Sequence, residues 1–208
     1  MENQSLLSVN SLTVKRNNIS LFQDLSFELE IGQIALVLGS NGSGKTSLIR
    51  NLLGFNSPVE GSINWFTDSI SYLGHNNSLN NELSVLETIN FYLGLYSKSP
   101  SLLLNSDVIK DFANEFLDLN KIKNRKIKNL SVGQQRKLAI YCSVLKQGSC
   151  WILDEPTANL DKQSIKVLLD FILFIKQENR FPFSSAGIIL ATHDHSLLEK
   201  ESSLLIRL

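Results

Sequence analysis

The alternation of apolar and polar residues near the start of the chain predicts a half-exposed strand. Its apolar positions are Leu25, Phe27, Leu29 and Ile31, and polar residues stand between them. A period of two is typical of an antiparallel strand with one face in the core. Gly32 then turns the chain into Ile34–Leu38, which is apolar throughout, as a strand covered on both faces would be.

Two further apolar runs, Cys150–Leu153 and Gly187–Ala191, predict two more buried strands. Helices are predicted between the buried strands: one ends at Gly54, and another begins near Asp161. Their apolar faces are Leu48, Ile49, Leu52 and Leu53 in the first, and Ile165, Leu168, Leu169, Ile172 and Ile175 in the second. Strands alternating with helices predict an α/β fold, a mostly parallel sheet with a smaller antiparallel β layer.

The middle of the chain, about residues 84–128, has a helical pattern and predicts a helical subdomain. No low-complexity linker and no internal repeat interrupts the sequence. We therefore expect residues 1–208 to form a single domain that contains this helical subdomain.

Composition excludes some classes of function. The 208 residues hold 20 basic and 20 acidic side chains, so there is no strong overall field for gripping nucleic acid. No apolar run approaches the roughly 18 residues of a membrane span, and the N-terminal stretch does not resemble a targeting sequence. The chain is expected to act in the compartment where it is made. Cys142 and Cys150 are interpreted as small, reduced core residues.

Residues 39–46, GSNGSGKT, have the form of a phosphate-binding loop between a strand and a helix. Gly42 and Gly44 allow a tight turn that presents N–H groups to phosphates. Lys45 would reach the β- and γ-phosphates of a nucleotide, and the Thr46 hydroxyl would hold Mg²⁺. A loop with chance glycines is the alternative, which the flanking strand and helix disfavour. The nucleotide-binding residues predicted here are Gly39, Ser40, Asn41, Gly42, Ser43, Gly44, Lys45 and Thr46.

The stretch CWILDEP, residues 150–156, delivers Asp154 and Glu155 to the C-terminal end of a strand. Ligands of open α/β sheets bind at that end. Asp154 can hold the water shell of a metal, and Glu155 can polarise an attacking water. Without a phosphate loop, a solvated turn would explain the two carboxylates equally well.

The stretch LSVGQQRK, residues 130–137, predicts a second anion-binding helix start at Ser131 and Gly133. Leu138, Tyr141 and Leu145 form the apolar side of the helix. Taken alone, Ser131 would be a helix cap. Because one nucleotide already has its cradle at 39–46, a second cradle suggests a nucleotide shared between two chains.

The order GSNGSGKT, LSVGQ, WILDEP, NLD and ATH resembles the ATP-binding subunit of ABC transporters over essentially the whole chain. The resemblance implies an ABC-type P-loop ATPase with ATP and Mg²⁺ as ligands. It also implies that two copies of the chain meet head to tail around two ATP molecules.

The resemblance further implies roles for individual residues. Ser131, Gly133 and Gln134 would touch the γ-phosphate held by the other chain's loop. Glu155 would be the catalytic base, and Asp161 would lie in the segment linking the two sites. His193, in LATHD, would contact the γ-phosphate and the attacking water, although a lone histidine at a strand end is more often a surface or capping residue.

Two positions depart from the family pattern. An adenine-stacking aromatic is usual where this chain has Arg16, whose guanidinium can also stack on a base or remain a solvated surface group. The family's glutamine that senses Mg²⁺ and contacts the membrane subunits is absent. His75 stands at the equivalent position with Asn76 beside it, and both remain candidates for this coupling role.

The stretches YLGH and LSVLETINFY resemble one branch of the family, the haem exporter ATPase of cytochrome c maturation (CcmA). This resemblance implies an ATPase acting on integral-membrane partners, for haem export or haem-chaperone release. Alternatives are another ABC importer or exporter subunit for a lipid, peptide or nutrient, a soluble ABC ATPase acting on DNA or ribosomes, and a module that binds nucleotide without turnover. Glu155 and His193 weigh against the last.

The expected location is peripheral on a membrane. It is either the cytoplasmic face of a bacterial inner membrane or the matrix face of a mitochondrial inner membrane. A basic cluster precedes the LSVGQ helix and is interpreted as a solvated face, with anionic headgroups or a partner loop as the alternative. Its members are Lys121, Lys123, Arg125, Lys126 and Lys128.

Overall fold

A computed structural model describes residues 5–17, 19–96, 107–177, 186–194 and 199–208. Three strands form an antiparallel sheet in the order β2-β1-β4. They are β1 (Ser5–Arg16), β2 (Ile19–Glu30) and β4 (Glu60–Trp65). The alternating pattern around Phe27 and Leu29 therefore forms the predicted antiparallel layer, since both side chains are buried and Glu28 between them is exposed.

Five strands form a parallel sheet in the order β5-β6-β7-β3-β8. They are β3 (Ile34–Leu38), β5 (Ile70–Leu73), β6 (Cys150–Asp154), β7 (Gly187–Thr192) and β8 (Leu204–Arg207). The three strands predicted from apolar runs are the central ones and are buried at every position. The sequence pattern missed β5 and β8, the two edge strands of four residues each.

Six α-helices and one 3₁₀ turn are present among the described residues. The helices are α1 (Lys45–Leu52), α2 (Val85–Tyr96), α3 (Asp107–Leu117), α4 (Leu119–Ile122), α5 (Val132–Leu145) and α6 (Lys162–Gln177), and the 3₁₀ turn is Ile127–Asn129. The predicted end of α1 is confirmed, because Gly54 takes a left-handed φ of 72° and donates to the Asn51 carbonyl. The start of α6 is likewise confirmed at Asp161.

Two apolar clusters lie on opposite faces of the parallel sheet. One lies between this sheet, the antiparallel sheet and α1. The other contains residues of α2, α3, α5 and α6, including a stack of Phe112 on Phe171 at 3.8 Å between ring centroids. The segment predicted to be a helical subdomain is thus helical over 85–96 and 107–122, and it shares a core with α5 and α6. Residues 97–106 of the predicted subdomain lie outside the described residues.

Both cysteines are buried and free of disulfides, as predicted. Cys142 lies within α5, and Cys150 begins β6. Burial raises the pKa of the Cys150 thiol to about 12 and that of the Cys142 thiol further, so neither forms a thiolate at neutral pH.

Candidate active site

The phosphate-binding loop, residues 39–46, connects the C-terminal end of β3 to the start of α1. Gly42 and Gly44 have φ values of 89° and 112°, which side-chain-bearing residues rarely adopt. A Cβ added at Gly44 would lie 3.2 Å from Leu21 Cβ and 3.4 Å from Phe22 Cδ1. The loop is therefore packed against the β1–β2 hairpin at a point where only glycine fits without strain.

Lys45 is enclosed by this loop, with 6% of its surface exposed. Its ammonium donates to the carbonyls of Gly39 at 2.7 Å and Ser40 at 3.1 Å. It also lies 3.3 Å from Glu155 Oε1. A buried lysine that is hydrogen-bonded and paired in this way presents its charge at a fixed point of the loop.

Thr46 and Asp154 meet across the sheet although 108 positions separate them in sequence. Asp154 ends β6, Thr46 lies in the helix that follows β3, and strand β7 lies between β3 and β6. The Thr46 hydroxyl donates to Asp154 Oδ2 at 2.8 Å, and Asp154 Oδ1 is buried with no hydrogen-bond partner among the described residues. Burial raises the pKa of Asp154, helped by nearby Glu155 and opposed by the Thr46 hydrogen bond and by His75 and Lys45.

Glu155 follows β6 in a left-handed conformation, with φ of 47°. Its N–H donates to the Ala191 carbonyl of β7 at 2.9 Å. A non-glycine residue in this region costs on the order of 1 kcal/mol, so the surrounding contacts hold Glu155 in place. The turn directs Oε1 to Lys45 and Oε2 to His193 Nδ1, 2.9 Å away.

His193 follows β7 directly, and its side chain is 59% exposed. Since a carboxylate only accepts hydrogen bonds, Nδ1 carries the proton toward Glu155. The ends of three neighbouring strands thus bring together Lys45, Thr46, Asp154, Glu155 and His193, the residues that the sequence motifs singled out. This cluster is referred to below as the strand-end site.

At the start of α5, Ser131 and Gln134 form hydrogen bonds with each other and not with the residues of the strand-end site. Ser131 Oγ accepts from the Gln134 N–H at 3.2 Å, and Gln134 Oε1 accepts from the Ser131 N–H at 3.0 Å. This reciprocal capping box occupies both side chains within the described chain. Gly133 packs on the segment after β6, since a Cβ there would lie 2.7 Å from the Asn159 carbonyl oxygen.

Asp161 lies at the end of that same segment and caps α6. One carboxylate oxygen accepts from the Ser164 N–H at 2.8 Å and the Ser164 hydroxyl at 2.9 Å. These hydrogen bonds lower the pKa of Asp161. Its other oxygen lies 3.9 Å from the ammonium of Lys137 in α5. The segment from 155 to 161 therefore runs from the strand-end site to the N-terminal ends of α5 and α6.

His75 and Asn76 are exposed in the loop after β5. Both line a groove of about 620 Å³ between β5, α2 and α5, and Thr46 and Asp154 line it as well. Tyr92, Tyr96 and Lys146 are also among its lining residues, and the Lys146 ammonium lies 5.7 Å from the centroid of the Tyr96 ring. The geometry does not separate the two candidates for the coupling role.

Arg136 is a residue that sequence reasoning missed. It is 2% exposed and lies in the second turn of α5, where its guanidinium contacts both the loop containing His75 and the turn containing Glu155. One signal was present in the sequence: Arg136 is in line with Ile140 and Val144 at four-residue spacing, and these two are buried. A basic residue on an otherwise apolar helix row indicates a buried polar partner set.

Arg16 is exposed at the end of β1, opposite Ile19 in the hairpin. The same hairpin carries Leu21 and Phe22, which approach the phosphate loop at Gly44. This position is compatible with either a base-stacking role or a solvated one.

Most side chains of the basic cluster form ion pairs or hydrogen bonds with nearby residues. Lys126 and Lys128 approach Glu82 at 3.4 and 3.0 Å, and Lys121 pairs with Asp118 at 2.6 Å. Arg125 donates to the Asn129 carbonyl. These exposed pairs favour the interpretation as a solvated face. Over the described ranges, no helix has both the length and the apolar character needed to cross a membrane.

Comparison with known proteins identifies the family. A family model described as ABC transporter matches residues 22–158, which include the phosphate loop, LSVGQ and the Asp-Glu pair. The chain belongs to the ABC transporter family. The nucleotide that this family binds is ATP, so residues 39–46 lie in an ATP-binding domain and the chain is an ABC-type ATPase.

Curated relatives within this family are proteins named cytochrome c biogenesis ATP-binding export protein CcmA. The one from Wolbachia pipientis wMel is 31% identical over 206 residues, covering 94% of this chain and 92% of the relative. The one from Roseobacter denitrificans is 34% identical over 161 residues, covering 77% and 74%. The resemblance to the CcmA branch predicted from YLGH and LSVLETINFY is thereby confirmed.

A solved structure of an ATP-binding cassette shares the fold, with a TM-score of 0.77 at 18% identity. It covers 98% of this chain and 94% of that one, and it is a dimer in a post-hydrolysis state with bound ADP and Pi. Together with the parallel sheet, the antiparallel layer and the surrounding helices, this match confirms the predicted ABC-type α/β fold.

Proposed function

We propose that this ABC ATPase is the ATP-hydrolysing subunit of a membrane complex for cytochrome c biogenesis, which exports haem or releases a haem chaperone. The observation that carries the proposal is the strand-end site, where Lys45, Thr46, Asp154, Glu155 and His193 converge. Such a site suits nucleotide hydrolysis, and the CcmA relatives suggest the process that uses the energy.

In the proposed reaction, the N–H groups of residues 39–46 and the Lys45 ammonium hold the phosphates of ATP. Glu155 accepts a proton from the attacking water. His193 donates from Nδ1 to Glu155, and donation from Nε2 to the γ-phosphate would require the imidazolium form, in which both ring nitrogens carry a proton. Arg16 is proposed to lie against the adenine, because its hairpin flanks the phosphate loop.

The residues around Thr46 and Asp154 fit Mg²⁺. A hydroxyl and a carboxylate lie 2.8 Å apart, and one carboxylate oxygen is buried without a partner. Oxygen ligands of this kind are the ones that Mg²⁺ prefers, alongside phosphate oxygens. When bound, the ion would neutralise charge that develops on the phosphates. Thr46 would be a direct ligand, and Asp154 would hold the ion or its water shell.

A second copy of the chain is proposed to complete the site. The start of α5 is exposed, and an exposed helix N-terminus with small residues is an anion-binding surface. Ser131, Gly133 and Gln134 are proposed to contact the γ-phosphate held by the other copy. Gly133 packs on the segment ending at Asp161, so this segment would relay changes between the two sites.

Integral-membrane subunits are proposed to dock at the groove that contains His75 and Asn76. Large apolar side chains are exposed near it, on α2 and after α1, and an apolar partner would cover them. They are Phe55, Leu86, Phe91 and Leu95. This docking would place the chain on the cytoplasmic face of a bacterial inner membrane or the matrix face of a mitochondrial one.

The proposal is tested in cells that lack this chain and carry plasmid copies of it. Cytochromes c with covalently bound haem should be lost and should return with the unaltered copy. If His75 couples hydrolysis to the membrane subunits, His75→Ala should lower basal ATPase modestly and partner-stimulated ATPase by roughly 5–150-fold. His75→Gln should restore much of that stimulation.

Lys200→Ala, an exposed change away from the groove, is the matched control. Normal cytochrome c haem content without the chain, together with defective transport of another solute, would assign it to a different ABC complex. Full stimulation in His75→Ala with loss in Asn76→Ala would assign the coupling role to Asn76.

A further inference from the structure

Arg136 has an unusual environment for a buried charge. Arg136 is 2% exposed, and the acceptors that its guanidinium meets among the described residues are all neutral. A buried charge without a carboxylate in hydrogen-bond contact is costly unless its donors are satisfied. The contacts that satisfy them therefore indicate what the residue does.

The acceptors belong to two segments that are distant in sequence. Nη1 donates to the Gly74 carbonyl at 2.8 Å and to Asn77 Oδ1 at 3.2 Å, with the His75 carbonyl at 3.4 Å. Nη2 donates to the carbonyls of Asp154 and Glu155, each at 2.8 Å. Nε lies 3.4 Å from the Pro156 carbonyl. One side chain thus joins the 74–77 loop to the turn 154–156.

The turn that Arg136 holds is the strained one. Glu155 has a positive φ, and its carbonyl and that of Asp154 point to the guanidinium. A planar fork of five N–H donors fixes these carbonyls in direction as well as in distance. The side chains of these two residues contact the rest of the strand-end site: Asp154 accepts from Thr46, and Glu155 contacts Lys45 and His193.

We infer that Arg136 is a positioning residue for ATP hydrolysis, which locks the main chain of Asp154 and Glu155 to the 74–77 loop and to α5. Because α5 begins five residues earlier at Ser131, a displacement of that helix would reach the carboxylates through this one side chain. The inference rests on the proposed role of Glu155 as the base, and it gives a role to a residue of LSVGQQRK that the sequence analysis left without one.

The test uses the full chain with Arg136→Lys, Arg136→Ala, Glu155→Gln and, as a matched control, Arg207→Ala. Arg207 is an exposed arginine whose side chain pairs with Glu199. Lysine keeps the charge but offers a single point of donation, so it cannot span both segments. We expect kcat of Arg136→Lys to fall about 10²-fold, with ATP affinity and KM near the unaltered values, because the phosphate loop is untouched.

Two further readouts separate positioning from bulk stability. Hydrogen exchange in Arg136→Lys should rise together in residues 74–77 and 154–157, while Arg207→Ala should leave both segments unchanged. Added methylguanidine should raise kcat of Arg136→Ala and leave kcat of Glu155→Gln unchanged.

Several results would overturn the inference. Full kcat in a folded Arg136→Lys, or an equal fall in ATP affinity and kcat, would contradict a positioning role. Faster exchange in only one of the two segments would show that Arg136 does not join them. Failure of both Arg136 variants to fold would make Arg136 a residue of the fold alone. If instead Glu155→Gln keeps its turnover, the base assignment fails and the position of Arg136 loses its proposed purpose.

Discussion

The chain has two helix starts suited to phosphate, and they differ in completeness. At the start of α1, the loop 39–46 is joined to the ends of β6 and β7, and its lysine is 6% exposed. At the start of α5, Ser131 and Val132 are exposed, and the side chains of Ser131 and Gln134 each accept a hydrogen bond from the main-chain N–H of the other residue. The first site is assembled within one chain, whereas the second is proposed to present N–H groups to another copy of the chain.

The two helix starts also differ in the free-energy cost of removing one of their polar groups. Lys45 and Glu155 are charged groups held 3.3 Å apart and largely out of water, so removing one leaves the other unpaired at considerable cost. The α5 start has only main-chain donors, a hydroxyl and an amide, which water solvates well. Changes at the first site should therefore act in a single chain, and changes at the second should act when two chains meet.

The largest effect is expected from Glu155→Gln. The glutamine amide is isosteric but cannot accept the proton of the attacking water. Turnover should fall about 10²–10⁴-fold while ATP binding persists. The measurements are steady-state ATPase with Mg-ATP and nucleotide affinity, followed by gel filtration in Mg-ATP, where trapped nucleotide should hold two chains together.

Glu82→Gln is a suitable control for this change. Glu82 is an exposed glutamate paired with Lys126 and Lys128, and it is not among the residues of the strand-end site. Turnover of Glu155→Gln within a few-fold of the unaltered rate would show that another group is the base. A monomer with bound Mg-ATP would contradict the shared site at the start of α5.

A smaller effect should separate the two helix starts directly. Lys45→Ala removes a charged contact to phosphate, so ATP affinity of the single chain should fall roughly 10–10²-fold. Ser131→Arg should leave that affinity unchanged and block hydrolysis by the pair of chains. A mixture of the two variants should regain activity, since one mixed pair combines an intact loop with an intact α5 start.

Each variant alone serves as the control for the mixture, at the same total concentration. No recovery in the mixture, with both variants folded, would show that hydrolysis does not require a loop from one chain and a helix start from the other. Reduced ATP affinity of monomeric Ser131→Arg would place Ser131 within the first site.

The sequence predicted the parts of this comparison that depend on local pattern. Apolar runs located the three central strands, and the motifs that follow them lie at strand ends, where parallel strands bring side chains together. The sequence also offered Ser131 as a helix cap, and the structure shows that Gln134 completes a capping box with it. Such features depend on neighbours in sequence or on a rule of sheet topology.

The features that were missed depend on contacts between distant segments. The edge strands Ile70–Leu73 and Leu204–Arg207 are four residues long, too short for a periodic signal. Apart from Asn77 Oδ1, the acceptors of Arg136 are main-chain carbonyls, which every residue possesses, so the residue types in 74–77 and 154–156 do not predict the contact. The packing of Gly133 on Asn159 likewise appears only when both segments are folded.

The smallest predicted effect concerns two aspartates at opposite ends of the 154–161 segment. Burial raises the pKa of Asp154, whereas the Ser164 hydrogen bonds lower that of exposed Asp161. A raised pKa means that the native state loses stability as pH rises through it, because the charged form must be buried. A lowered pKa means that stability is present above the ordinary aspartate pKa and is lost as pH falls.

Asp154→Asn should therefore raise the melting temperature at pH 7, and Asp161→Asn should lower it. The amide at 161 still caps α6 but lacks a charge worth about 0.3–1 kcal/mol at a helix start. The melting-temperature difference of Asp154→Asn should shrink as the pH falls below the raised pKa of Asp154. That of Asp161→Asn should shrink as the pH falls below the ordinary aspartate pKa. The measurement is thermal unfolding between pH 3 and pH 8 in EDTA without nucleotide, with Asp68→Asn as an exposed control. Differences of the same sign at pH 7 would contradict the opposed environments of the two carboxylates.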